Sequence, residues 1–140
     1  MIFKVKKLHP EAKLPSYAHP GDAGMDLFAL ETVTAEPGKI TRVRTGIATE
    51  FSDGYVALFW DKGGLSINHG LKLLGGVLDA GYRGELVVGL INLLDTPHVI
   101  EKHHKVAQLL LQAVERPAIT EATELSDTSR GAGGFGSTGK

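Results

Sequence analysis

Asp79 and Tyr82 stand three residues apart in the ribbon Gly75-Gly76-Val77-Leu78-Asp79-Ala80-Gly81-Tyr82-Arg83-Gly84-Glu85. A lone carboxylate there suits a general base that takes a proton from water, and the ring beside it suits a floor for a substrate. Glycines at 75, 76, 81 and 84 let the backbone bend sharply and let a ligand approach the main chain closely. The same residues also describe an ordinary hairpin with a solvated turn Asp, and the ribbon alone does not choose between the two.

Other residues bear on that choice. The tail from Ser126 to Lys140 is rich in Gly, Ser and Thr and cannot bury enough apolar surface to order itself. Its Arg130, Phe135, Ser137, Thr138 and many backbone donors nevertheless suit closure over an anionic, ring-bearing ligand. Gly134 to Lys140 fits G-x-x-x-x-G-K, but no Ser, Thr or helix follows in the sequence and no βαβ unit precedes, so the phosphate-loop match is a decoy. Asp26 lies in apolar company, where a carboxylate needs a cation or backbone donors. His103 and His104, read at a strand entry, would point to opposite faces and so would not share a metal ion. In Asp61–Gly70, Asp61 reads as the cap of a short helix that Gly70 ends, with Gly63 and Gly64 exposing amides to an anion.

Composition narrows the classes. The sequence has 140 residues, of which 42% are hydrophobic, and a net charge of −1. That predicts one domain, and the charge gives no electrostatic case for nucleic acid. No run approaches the roughly 18 apolar residues that cross a bilayer, so no membrane partner is expected. The start, Met1-Ile2-Phe3-Lys4, lacks a signal-peptide core, which points to a cytoplasmic protein. With no cysteine, disulfides, thiolate metal sites and a nucleophilic Cys are excluded.

The positioning elements read mostly as strands. Phe3 and Val5 alternate with lysines, Met25–Leu30 is extended, and Ile40–Thr49 is one β-branched run. Tyr55–Trp60 follows. Glu85–Leu94 is apolar enough for a strand buried on both faces, and Val106–Val114 is the last, ended by Pro117. Prolines and glycines between 10 and 21 mark a loop, and Pro37-Gly38 a turn. Many short strands and almost no helix predict a β-sandwich, jelly roll or barrel.

Five segments, in order, resemble the motifs of the trimeric deoxyuridine triphosphatase (dUTPase) family. They are Ala23–Ala29, Asp61–Ser66, Gly76–Glu85, Lys105–Gln108 and Ser129–Gly139. The resemblance implies an all-β, jelly-roll-like distorted β-barrel at 1–125 with one short helix. It also implies a flexible arm at 126–140 that closes on a neighbouring subunit of a homotrimer with shared active sites. The implied reaction is dUTP and water to dUMP and pyrophosphate, which limits uracil in DNA and supplies dUMP for dTMP synthesis. Mg²⁺ is implied as cofactor, held mainly by the substrate phosphates, with Asp26 supporting it through water.

Carried onto this chain, Asp79 deprotonates the water that attacks the α-phosphorus, and Tyr82 packs under the deoxyribose. Main-chain groups from Leu73 to Leu78, Gly76 and Val77 included, read uracil and leave no room for a thymine methyl. Lys62, Gly63, Gly64, Val87 and Gln108 complete the substrate contacts. Phe135 covers the base, Arg130, Ser137 and Thr138 hold the γ-phosphate with Gly136 between them, and Lys105 supports.

The sequence departs from the family pattern in places. Lys62-Gly63-Gly64 replaces Arg-Ser-Gly, so Lys62 lacks the guanidinium fork and Gly63 lacks a hydroxyl. Leu73 stands where many members have Asn, Lys105 where Arg is usual, and His103 where Gly is usual. Gly63 therefore motivates an alternative, a dUTP-binding protein with impaired catalysis. The related dCTP deaminases share the barrel, but neither their carboxylate nor their C-terminal pattern is evident, and a plain β-sandwich binding module explains neither spacing nor arm.

Overall fold

In the computed structural model residues 2–135 are described, so the expectations placed on Gly136, Ser137 and Thr138 lie outside them. The architecture is the jelly-roll-like, all-β one expected, with one short helix. It does not close into a single barrel: the strands form four separate sheets, every pairing within them antiparallel.

β1 (Phe3–Lys7) pairs with β5 (Ile47–Phe51), the Phe3 and Phe51 rings meeting at 6.1 Å. The single strand expected over Ile40–Thr49 is two. β4 (Ile40–Arg44) lies in another sheet, beside β9 (Val87–Asn92), and the chain changes sheet at Thr45-Gly46. Thr45 Oγ1 donates to the Leu86 carbonyl at 2.6 Å. Gly46 has φ +70°, and a Cβ there would lie 2.9 Å from that of Ala12. Only glycine makes this corner without strain, and a β-branched count cannot register it.

The central sheet has the order β2 (Met25–Phe28), β11 (Lys105–Ala113), β6 (Tyr55–Asp61), β8 (Val77–Asp79). In the third sheet β9 lies between β4 and β7 (Leu71–Leu74), and β3 (Val33–Ala35) pairs with β10 (His98–Ile100). Leu27, Val43, Ile47, Leu71, Leu86, Val88, Ile100 and Leu109 form the centre of the core and are almost wholly withdrawn from solvent. Each is worth about 1.5–3 kcal/mol of burial.

β9 was expected to be buried on both faces. Instead Val88, Leu90 and Asn92 are buried and alternate with half-buried Val87, Gly89 and Ile91. Asn92 ends the strand: Nδ2 donates to the Ala35 and Thr96 carbonyls, both at 2.8 Å, and Oδ1 accepts from Leu94 N at 3.0 Å.

The helix α1 spans Gly63–His69. Lys62, not Asp61, is its N-cap residue and caps with no side-chain bond, while Asp61 remains in β6. Gly70 ends it in the left-handed region, φ 62°, as its position predicted. His103 and His104 occupy the turn before β11 rather than a strand, with His103 at φ 67°. Their side chains are therefore not set on opposite faces by strand geometry.

Regular structure ends at Ala113. Val114 N still bonds Gly54 O at 3.0 Å, and Arg116 pairs with Asp53 at 2.7 Å. Residues 115–132 are exposed, and the hydrogen bonds among the described residues beyond Arg116 are all local to 128–133. No helix among the described residues is long and apolar enough to cross a membrane.

Candidate functional site

The ribbon forms the edge of the central sheet. Val77, Leu78 and Asp79 pair with Leu58, Ala57 and Val56 of β6. Gly75 and Gly76 take φ +73° and +119°, and Gly76 O accepts from Phe59 N at 2.7 Å. A Cβ at Gly76 would stand 3.0 Å from Phe59 O, so the turn lies too close to β6 for a side chain.

Beyond Asp79 the chain folds on itself. Tyr82 N donates to Asp79 O at 3.0 Å, Tyr82 Oη to Glu85 O at 3.1 Å, and Arg83 to Ala80 O at 2.6 Å. The Tyr82 ring lies over Gly84, where a Cβ would come within 2.3 Å of Oη. The ring is thus placed and half-exposed, as a platform must be. The Asp79 side chain is exposed and has no hydrogen-bond or ion-pair partner among the described residues. A turn-forming Asp normally accepts from a nearby amide. Asp79 spends none of its lone pairs among the described residues and is open to solvent, as a water-activating base and a solvated turn Asp both require.

Beside the ribbon a cleft of about 250 Å³ opens between β6 and β7, walled by Leu58, Trp60, Leu73, Gly75, Gly76 and Val77. The Leu73 side chain is buried and its N–H donates to Asp61 Oδ1 at 2.7 Å, so that amide is already committed. Val87 is half-buried in β9 opposite Arg44 and does not line the cleft.

The second group gathers around Asp26, which is 1% exposed. Lys62 Nζ lies 2.8 Å from Oδ1 and Lys105 Nζ 2.7 Å from Oδ2. The second is an ion pair without hydrogen-bond alignment, so Oδ2 retains acceptor capacity. Burial pushes the Asp26 carboxyl up, but the two ammonium groups outweigh it and hold the group below its ordinary value. Gln108 sits opposite both Asp26 and Trp60. It borders a further cleft of about 360 Å³ with Asp22, Gly24 and Leu110.

Gly63 and Gly64 face open space at the start of α1, while Leu65 N and Ser66 N turn back to Lys62 O. Ser66 Oγ donates to Gly63 O at 3.3 Å inside the helix and does not stand in for the hydroxyl that Gly63 lacks.

The third group is the arm. Arg130 Nε donates to Gly133 O at 2.8 Å, and Phe135 is exposed at φ 50°. Neither residue touches the ribbon or the Asp26 cluster through a hydrogen bond. Among the described residues no hydrogen bond or ion pair joins the ribbon, the Asp26 cluster and the arm within one chain.

Two residues escaped the sequence reading. Trp60 is 56% exposed and borders both clefts, and Asp61 ties β6 to β7. Only strand phase distinguishes Trp60, since Phe59 points into the core, and Asp61 was absorbed into a helix cap that does not form.

The dUTPase family model matches residues 10–139. A deoxyuridine 5'-triphosphate nucleotidohydrolase of Thermobifida fusca is 50% identical over 97% of this chain and 78% of its own. One of Clostridioides difficile is 44% identical over 97% of this chain and 96% of its own. Among solved structures, a Staphylococcus bacteriophage 80alpha dUTPase mutant with dUpNHpp superposes with a TM-score of 0.93 at 29% identity, covering 99% of each chain. A phage phi11 mutant dUTPase described with a structural Mg(II) ion gives 0.85 at 25% identity, over 91% of this chain and 100% of its own.

Proposed function

The chain belongs to the dUTPase family, and from that premise we propose that it hydrolyses dUTP to dUMP and pyrophosphate at a site shared between subunits. The observation that carries the reading is the exposed, unpartnered Asp79 carboxylate on the edge strand β8, two residues beyond Val77 of the glycine-hinged cleft. Its relatives are named as nucleotidohydrolases, and the binding-only alternative raised by Gly63 is not favoured.

The base enters the cleft between β6 and β7, whose Gly75-Gly76 turn lets the ligand reach the main chain. Tyr82 supports the sugar. Lys62, Lys105, Gln108 and the open amides of Gly63 and Gly64 receive the phosphates, and Arg130 with Phe135 closes the site over phosphate and base. Asp79 orients water for in-line attack at the α-phosphorus and takes its proton. Chemistry of this kind depends on positioning and charge neutralisation more than on covalent intermediates.

Mg²⁺ fits a supporting role. Among the described residues no three His, Asp or Glu side chains gather to hold a metal ion, so the phosphates would supply most of its ligands. Asp26, the residue the family resemblance gives a water-bridged role toward the ion, is buried between the Lys62 and Lys105 ammonium groups, so one of the lysines would have to turn to the phosphates for it to serve. When bound, the ion neutralises charge on the triphosphate.

We infer a homotrimer from the family resemblance, with Asp79 of one chain serving the phosphate-binding lysines of another; the placement of Asp79 and Lys62 toward opposite ends of β6 supports that reading. We also infer a cytoplasmic enzyme, in keeping with a nucleotide-pool role, and expect no nucleic-acid or membrane partner. Pyrophosphate release from dUTP, dCTP, dTTP and UTP with Mg²⁺ tests the reading. Strong preference for dUTP supports it, and equal turnover of all four overturns it.

A further inference from the structure

β7 and β8 belong to different sheets although one glycine turn joins them. β7 is an edge of the sheet containing β9, and β8 an edge of the sheet containing β6. The cleft is the gap this leaves between β6 and β7. Among the described residues two ties span it. At the turn end Phe59 N donates to Gly76 O at 2.7 Å. At the other end the Asp61 carboxylate accepts from Leu73 N at 2.7 Å through Oδ1 and from the Lys72 ammonium through Oδ2.

We propose that Asp61 is a positioning residue for base recognition, its carboxylate setting the separation of β6 and β7 and hence the width of the cleft that takes uracil. The inference rests on the reading of that cleft as the base site. Leu73 pairs with β9 on one side, and its N–H would otherwise be left without a protein acceptor at a buried position of β7. The Asp61 side chain is 23% exposed, so it needs compensating partners. Burial raises its pKa, but Lys72 and the Leu73 amide outweigh that and keep it below the ordinary value. The carboxylate therefore stays charged at neutral pH and keeps both ties. A narrow cleft admits uracil and excludes the extra methyl of thymine, so loss of the tie should relax that exclusion.

Steady-state kinetics on dUTP and dTTP with full-length Asp61→Ala, Asp61→Asn and Lys72→Met protein test this. Asp61→Ala should raise KM for dUTP by about tenfold, with kcat falling far less, and should cut the dUTP-over-dTTP preference by about tenfold. Asp61→Asn keeps an acceptor for Leu73 N and should restore most of the preference, and Lys72→Met should fall between. Should the Ala protein not fold, Lys72→Met carries the same test through its KM and selectivity, with Asp61→Asn as the near-wild-type control. Wild-type KM and selectivity in a folded set, or a fall in kcat alone, overturn the inference. A wild type that does not turn over dUTP overturns the base-site reading and this inference with it.

Discussion

Asp79 and Lys62 stand at opposite ends of β6: Asp79 pairs with Val56, while Lys62 follows the strand's last residue, Asp61. Six residues of extended chain place them about 20 Å apart. That separation is the ground for assigning the general base and the phosphate cation of one proposed site to different subunits. Each group is nevertheless complete in itself, with the ribbon tied by Tyr82 and Arg83 and the lysines gathered on Asp26. In the proposed oligomer, repetition around a symmetry axis would bring one chain's ribbon to another's cluster.

The buried carboxylate is predicted to matter for stability first. Asp26→Asn leaves two ammonium groups facing a neutral amide and should cost about 2–3 kcal/mol, toward the low end because both lysines are partly exposed. Its pKa is lowered on folding. Its contribution is therefore full above the ordinary carboxylate value of about 3.9 and is lost as pH falls below it toward the native value. Thermal melts from pH 7 to pH 3 should show the wild-type advantage shrinking at the acid end. A gap constant across that range contradicts the ion-pair account.

Gly63 has open space around the position of a side chain and no positive φ. Gly63→Ser should fold normally and raise dUTP turnover by roughly 10- to 150-fold, the value of one hydrogen bond to a charged group if it is felt wholly in the transition state. Unchanged turnover would show that the start of α1 lies away from the reacting phosphate.

Gly84 supports the Tyr82 ring directly. Gly84→Ala forces the ring off its position, since the new methyl would meet Oη and Cζ. Loss of discrimination between dUTP and UTP is expected, measured as the ratio of kcat/KM, because the sugar platform is displaced. A preserved ratio would remove Tyr82 from sugar recognition.

The arm should respond to ligand. Residues 115–132 are exposed and their bonds beyond Arg116 are local. Limited proteolysis there should be fast in the free protein and slow with a non-hydrolysable dUTP analogue and Mg²⁺. Equal cleavage rates in the two states contradict closure.

Much of this was legible in the residues. Alternation at Phe3 and Val5, the apolar run of β11 and the stop at Gly70 all appear as periodicity or turn chemistry. The pairing of Asp26 with cations followed from the cost of burying a charge. Three features did not show, each for a tertiary reason. The strand break at Gly46 depends on contact with Ala12, distant in sequence. The polar end of β9 depends on carbonyls from Ala35 and Thr96 that meet only in the fold. Asp61 has the composition of a helix cap, yet its strand continues and its carboxylate turns to β7.

Subunit mixing tests the central claim most directly. Asp79→Asn and Lys62→Met proteins, each prepared alone, should release little pyrophosphate from dUTP. Unfolded together and refolded at equal amounts, they should regain activity in about one site in four by random assortment of chains. Recovery to that level shows the base and the cation acting from different subunits. A mixture no more active than its two components contradicts the shared site.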